Sequence, residues 1–200
     1  CVMAKNMQPV LKRCRTLGVS PAAMGYSKTS NKNPGGQRRA KKSEYATQLT
    51  EKQKVKFVYG IQEKQFRNYY DKAARHEGNT GENLLTFVER RLDNVVYRLG
   101  FANSRRQARQ LVNHGHFTVN GNRVNIPSYL IKVGDVIAVS EKSASNAFFK
   151  KLKEDDAFVA APKWLDRDKN TLQGKVVAMP TKADIDFDIA VHLIVELYSK

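Results

Sequence analysis

The sequence has few of the residues that secreted, membrane-spanning or metal-binding proteins need. Only two cysteines occur in 200 residues, Cys1 and Cys14, too few for the disulfide framework of a small secreted protein. No apolar run approaches the roughly 18–20 residues that cross a bilayer, and the first residues have no signal-peptide pattern. These absences favour a reducing, cytoplasmic compartment.

Acidic residues are also scarce: 35 Lys and Arg stand against 19 Asp and Glu, giving a formal net charge of +16. Residues 1–42 carry ten of the cations and no acid, whereas residues 143–200 carry nine of each sign. Such a balance predicts a polyanionic partner, with nucleic acid favoured over an acidic membrane surface. The binding face is expected to combine residues 1–42 with residues 92–142, where cations also exceed acids.

Apolar spacing and glycine stops predict a mainly helical chain. Helices are expected over 10–18, 43–58, 62–75, from 79 through 88, and over 92–99. The aromatics Phe66, Tyr69 and Tyr70 could stack on bases, but their helical spacing favours the core. Residues 166–168 are expected in a solvated loop. Residues 184–200 fit a strand or a helix, and helix is favoured.

The central stretch from Leu92 to about Lys142 is predicted to form a helix, a second helix rich in arginine, a glycine stop and a hairpin at Asn120-Gly121. Five arginines and no acid lie between Arg98 and Arg123. A small unit that is basic on one side suits the phosphates and shape of folded RNA.

These elements predict an α+β fold in three parts. Residues 1–42 form a basic extended arm. Residues 43–91, completed by 176–200, form a discontinuous all-helical domain. Residues 92–175 form an inserted small α+β RNA-binding module, a helix pair packed on a short antiparallel sheet, with a trailing helix and loop.

The two histidines His114 and His116 flank the glycine stop of the arginine-rich helix. They lack the nearby Cys or acid ligands of a metal site, and the nucleophile or orienting carboxylate of a catalytic one. They are therefore interpreted as a surface pair at the helix end, where one of them could touch phosphate. No catalytic residue and no metal ligand is predicted.

Basic and polar side chains in the arm and the predicted helices are the candidate RNA contacts, since phosphate recognition relies on such groups. They are Lys12, Arg13, Arg15, Arg38, Arg39, Lys41, Lys42, Lys52, Lys54, Arg67, Arg98, Arg105, Arg106, Arg109, Gln110, His114 and His116.

Several of these stretches together resemble a known family, that of ribosomal protein S-four (S4) of the bacterial 30S subunit. The resemblance covers nearly everything from Ser43 onward and is looser before it. It is carried by SEY at 43–45, EKQK at 51–54, YGI at 59–61, EKQFR at 63–67, GNTGEN at 78–83, RLDNVVYRLG at 91–100, RQLV at 109–112, VNG at 119–121, VNI at 124–126 and LIVELYSK at 193–200.

The resemblance implies a structural, non-enzymatic protein of the small ribosomal subunit. Family members bind 16S rRNA early at a 5′-domain junction and help nucleate assembly of the 30S body. They lie near the mRNA entry channel beside ribosomal proteins S-three, S-five and S-twelve, and the contact with S-five is linked to translational accuracy. By the same resemblance, Arg38, Arg39 and Lys41 match a basic cluster on the mRNA-entry side.

One departure from the family concerns zinc. Some members bind zinc through four cysteines in the N-terminal arm, whereas this sequence has no Cys-x-x-Cys pair. No cofactor is therefore expected.

A rival prediction is an RNA-modifying enzyme of the pseudouridine-synthase type, since such enzymes carry the same module. A free basic RNA chaperone is a third. The flanks of the module show no catalytic constellation and share the ribosomal resemblance, which disfavours both.

Overall fold

The computed structural model describes residues 8–28, 43–154, 161–168 and 171–199. Across these residues it has nine α-helices and five β-strands and is α+β, as predicted. The helices are α1 (Val10–Leu17), α2 (Glu44–Tyr59), α3 (Glu63–Arg75), α4 (Thr80–Glu89), α5 (Leu92–Arg98), α6 (Arg105–Asn113), α7 (Glu141–Ala144), α8 (Ala147–Glu154) and α9 (Val191–Ser199). The strands are β1 (Phe117–Val119), β2 (Asn122–Arg123), β3 (Val136–Val139), β4 (Leu165–Asp168) and β5 (Gln173–Val176). Two 3₁₀ turns lie at Pro21–Met24 and Lys182–Asp184.

The helix ends follow the local signals of the sequence. The Ser43 side chain accepts a hydrogen bond from the backbone N–H of Ala46 at 3.3 Å, which satisfies one of the donors left open at the start of α2. Gly60 ends the same helix with a left-handed φ of 63°. The predicted helices over 10–18, 43–58 and 62–75 are confirmed to within one residue at most ends.

The chain divides into two compact units, Cys1–Leu84 with Ile185–Lys200, and Leu85–Asp184. The sequence predicted divisions at 91/92 and 175/176. The first division falls inside α4, seven residues before the predicted one. No helix among the described residues is both long enough and apolar enough to cross a membrane.

In the first unit, α9 packs against α2. The C-terminal segment is thus the helix that the sequence favoured. The aromatics of α3 lie in the core, as predicted: Phe66 is fully buried and Tyr69 is buried. The Tyr70 ring stacks on that of Tyr198 in α9, with centroids 4.7 Å apart. Helices α2 and α3 thus pack with α9, which lies more than 100 residues later in the sequence.

The second unit is built on an antiparallel sheet with strand order β2-β1-β3-β5-β4. The predicted hairpin joins β1 to β2, with Val119 opposite Asn122. Its two turn residues, Asn120 and Gly121, have φ values of 51° and 82°. Positive φ at both positions is what a tight two-residue hairpin requires, and it explains the Asn-Gly pair.

Helices α5 and α6 pack together, and their apolar residues share one buried core with the sheet. At its centre the rings of Phe101 and Phe117 stack 6.0 Å apart, and Phe149 of α8 meets Phe117 edge to face. The buried Trp164 belongs to the same core.

The expectation of a solvated loop at 166–168 is wrong. These residues belong to β4, which pairs with β5 from Leu165 opposite Val176 to Asp168 opposite Gln173. The charged residues of this segment suggested a loop, but β4 lies at the edge of the sheet, where side chains on one face remain in water. A Cβ at Gly174 in β5 would lie 2.5 Å from the Leu99 side chain, so the sheet approaches α5 closely at this point.

Candidate nucleic-acid interface

A buried ionic network holds α5 against α6 in the second unit. We call it the arginine network, and its members are Glu89, Arg91, Asp93, Asn94, Arg98, Arg105 and Arg109. Four guanidinium groups meet two carboxylates, so the network retains two positive charges. The arginines that the sequence suggested as an exposed face are largely turned inward to build it.

One half of the arginine network centres on Glu89, which is 1% exposed. Its carboxylate accepts from Arg98 Nη2 at 3.0 Å and from the Asn94 side-chain amide at 2.6 Å. The Asn94 carbonyl in turn accepts from Arg105 Nε at 2.9 Å. The guanidinium of Arg105 also lies 4.5 Å from the centre of the Tyr97 ring, within cation–π range. A single acid and an amide therefore fix both arginines.

The other half centres on Asp93. Arg91 donates to both of its carboxylate oxygens, at 3.0 and 2.8 Å, in the paired geometry that gives the strongest ion pairs. Arg109 Nε donates to the same carboxylate at 3.0 Å. Removing one partner from a buried pair of this kind costs about 3–5 kcal/mol, because the other charge is left uncompensated.

The candidate contacts on α5 and α6 therefore separate into two groups. Arg98 and Arg105 are only 7% and 6% exposed, so little of either side chain reaches the surface. The Arg109 side chain is 19% exposed. Arg106, Gln110 and His114 are exposed, and their spacing of four residues places them along one side of α6. This outward stripe, with a positive network beneath it, suits contact with phosphate.

The residues around the end of α6 have mixed roles. His116 Nδ1 lies 2.9 Å from Ser143 Oγ. Burial lowers the pKa of His116 below its ordinary value, and the neighbouring His114 and Arg123 lower it further. Arg123 donates to the carbonyls of Gly115 and His114 at 2.9 and 3.1 Å, which satisfies the end of the helix. The structure thus agrees with the interpretation of the histidines as a helix-end pair.

In the first unit, α1 presents Lys12 and Arg15 as exposed side chains. Arg13 on the same helix is half-buried. Its Nε atom is buried and, within the described part of the chain, has no hydrogen-bond partner. Leaving a charged donor unsatisfied in this way destabilises a free protein by about 1–3 kcal/mol or more.

The lysines of α2 are engaged with acids. Lys52 and Lys56 both donate to Glu63, the first at 2.8 Å, and Lys54 donates to Glu51 at 2.7 Å. The Lys52 and Lys54 side chains are only 12% and 14% exposed. Burial by itself raises the pKa of Glu63, but hydrogen bonds from Lys52, Lys56 and Tyr198 lower it to about 2. These predicted contacts therefore hold α2, α3 and α9 together.

Helix α3 carries cations that sequence reasoning missed. It named Arg67, which is exposed, but not the equally exposed Lys64, Lys72 and Arg75. Their position was readable, because they lie on the sides of the helix away from the buried Phe66, Tyr69 and Ala73. Exposed lysines on α8, Lys150, Lys151 and Lys153, were missed in the same way.

Four of the predicted contacts, Arg38, Arg39, Lys41 and Lys42, lie outside the described residues. Over the residues that are described, no three His, Cys, Asp or Glu side chains are grouped so as to hold a metal ion.

Family models match the two parts of the chain. One described as S4 domain matches residues 90–137, and one described as Ribosomal protein S4/S9 N-terminal domain matches residues 5–89. The helix pair and hairpin of the second unit thus define the class: the chain is an S4-domain protein.

Similarity to named proteins extends over the whole chain. Small ribosomal subunit protein uS4 of Fusobacterium nucleatum is 54% identical over 198 residues, covering 99% of this chain and 100% of the relative. The protein of the same name from Lachnospira eligens is 53% identical with the same coverage. That of Clostridioides difficile is 59% identical over 172 residues, 85% of this chain and 83% of the relative. The chain belongs to the bacterial ribosomal protein uS4 family.

Proposed function

We propose that this chain is a structural component of the small ribosomal subunit that binds 16S rRNA. The observation that carries the proposal is the exposed stripe of Arg106, Gln110 and His114 on an S4 domain, in a chain whose full-length relatives are named small ribosomal subunit proteins. The basic residues neutralise phosphates and release counterions, while the folded surface of each unit supplies a shape to match. Such a component works in the cytoplasm.

The contacts proposed in the second unit are the outward stripe with Arg109 at its edge. The buried Arg98 and Arg105 support that stripe and add positive potential. In the first unit the proposed contacts are Lys12, Arg15 and Arg67, to which the exposed cations Lys64, Lys72 and Arg75 are added. Lys52, Lys54 and His116 act mainly through packing and internal bonds.

The RNA partner proposed is the junction of the 16S 5′ domain, bound early so that it nucleates assembly of the 30S body. Arg38, Arg39, Lys41 and Lys42 extend the surface, the first three toward mRNA at the entry channel. Ribosomal proteins S-three, S-five and S-twelve are the proposed neighbours, with a contribution to translational accuracy. No metal or cofactor takes part.

The architecture proposed with this function is a basic arm over residues 1–42 and a helical unit interrupted by the module. The contribution of both chain ends to the first compact unit supports the interruption. The rival function, an RNA-modifying enzyme, has no support, since relatives matching 99% of the chain are ribosomal proteins.

Binding of the full-length protein to a transcript of the 16S 5′ domain tests the proposal. In a filter-binding titration, the logarithm of the binding constant should fall linearly with that of the salt concentration, with a slope of roughly −0.7 to −0.9 per phosphate contacted. An unrelated structured RNA of equal length is the control. Equal affinity for the two RNAs would contradict the proposed specificity.

A further inference from the structure

A cleft in the first unit is lined in part by Arg13 and by the Lys56–Glu63 pair. It lies where α1 meets the corner between α2 and α3 and has a volume of about 370 Å³. One water occupies about 30 Å³ in the liquid, so the cleft is far larger than a site for a water or a simple ion. Its volume falls in the range of roughly 300–1,000 Å³ that is typical of sites for small organic groups.

The lining of the cleft includes residue types that hydrogen-bond to the edges of nucleobases. Side-chain amides come from Gln8, Gln53 and Gln62, and the aromatic residue among the lining is Phe57. An amide offers a donor and an acceptor side by side, the pattern with which proteins recognise base edges. An ion needs no such set of paired donors and acceptors.

The charged residues that line the cleft are Arg13, Lys56 and Glu63, and Lys56 donates to the Glu63 carboxylate. The Glu63 carboxylate already accepts from two lysines and from the Tyr198 hydroxyl, which leaves little negative charge to repel RNA. Arg13 Nε is buried and has no acceptor within the described part of the chain. Among the described residues this donor thus has no acceptor, and a polar group bound beside Arg13 would supply one.

We propose that this cleft takes up one unpaired nucleotide of the bound RNA, with Arg13 donating to an acceptor on the base and Gln53 pairing with its edge. Bases that are splayed out of loops and bulges are the usual targets of sequence-specific RNA recognition. The proposal rests on the proposed function, because the nucleotide belongs to the RNA that the whole protein binds. It adds a base-specific contact to an interface otherwise made of phosphate contacts.

The test is chemical probing of the 16S 5′-domain transcript in complex with the full-length protein. Reagents that modify base edges are compared with hydroxyl-radical cleavage, which reports on the backbone. The variants are Gln53→Leu, which keeps the size of the side chain, and Arg13→Met, which keeps most of its length. Gln65→Leu, an exposed glutamine on α3 outside the cleft, is the matched control.

The expected result is one unpaired base that the original protein and Gln65→Leu protect and that both cleft variants leave reactive, while the backbone footprint persists. Arg13→Met should raise the Kd by roughly five- to tenfold, within the range of one hydrogen-bonded base contact. The thermal midpoint of the free Arg13→Met protein should stay the same or rise, because an unsatisfied buried donor is removed.

Three results would overturn the proposal: base protections identical in all variants, loss of backbone protection alone, or a lower thermal midpoint for Arg13→Met, which would make Arg13 structural. The proposed function fails separately, if the original protein leaves no footprint on this RNA. That outcome is visible before any variant is compared.

Discussion

Helices α3 and α6 are both rich in cations but use them in opposite ways. In α3, Lys64, Arg67, Lys72 and Arg75 are all exposed. In α6, Arg106 points outward, whereas Arg105 is buried and Arg109 pairs with an acid. The first helix carries its positive charge at the surface. The second uses most of its charge to fix its own position.

The difference depends on where the acids are. Glu89 precedes Arg98 by nine residues, and Asp93 precedes Arg109 by sixteen, so the partners of the arginines lie on α4 and α5. On α3, by contrast, Asp71 is exposed beside exposed cations. The number of arginines along a helix therefore does not distinguish an exposed binding face from a buried ionic network. The positions of acids on neighbouring helices do.

Asp93→Ala should have the largest effect on stability, because it leaves Arg91 and Arg109 without their shared carboxylate. The expected loss is about 3–5 kcal/mol in the free energy of unfolding. Urea unfolding of the full-length protein, followed by circular dichroism, measures it.

Asp71→Ala on α3 is the matched control, and its expected change lies within about 0.5 kcal/mol. Equal losses in the two variants would remove the distinction between a buried and a displayed set of charges.

Arg105→Ala comes next, with an expected loss of about 2 kcal/mol, since it removes a charged hydrogen bond to Asn94 and the contact with Tyr97. Arg67→Ala on α3 should leave stability unchanged and weaken RNA binding instead. The unfolding midpoint and the Kd for the 16S 5′-domain transcript are measured for both. If the Arg105→Ala protein keeps its stability but binds RNA more weakly, Arg105 contacts RNA directly and the structural role is wrong.

Local signals made much of this fold predictable, and long-range partners made the rest unpredictable. Ser43, Gly60 and the Asn120-Gly121 turn act within a few residues, so the sequence alone locates the elements they bound. Strand β4 has no such signal. It forms by pairing with β5, and its charged residues by themselves suggest a loop.

The candidate site divides in the same way. The outward stripe of α6 follows from helical spacing, which is a local property. The inward turn of Arg105 depends on Asn94, eleven residues away on another helix, and the engagement of Lys52 depends on Glu63. Neither pairing can be read from spacing along a single helix.

The double variant Arg67→Ala, Arg75→Ala tests the displayed charge directly. Removing one phosphate contact should reduce the steepness of the salt dependence by roughly 0.7–0.9, so the pair should reduce it by about 1.4–1.8. Filter binding at several salt concentrations measures the slope. Lys150→Ala with Lys153→Ala on α8 is a comparison pair of equal charge, and it shows whether the effect is specific to α3.

The smallest expected effect concerns Glu63, the acid that holds Lys52 and Lys56. Its pKa falls from an ordinary 4.5 to about 2 in the folded protein, so the folded state favours the charged form. The resulting stabilisation is present above about pH 4.5 and is lost as the pH falls from there toward 2. Because the side chain is 48% exposed and screened by solvent, we expect less than about 1 kcal/mol.

Glu63→Gln should therefore lower the urea midpoint slightly at pH 7 and by less at pH 3, whereas Glu77→Gln, an exposed control, should change neither. If the difference in urea midpoint between Glu63→Gln and the original protein grows as the pH falls, the carboxylate does not stabilise the fold through its charge.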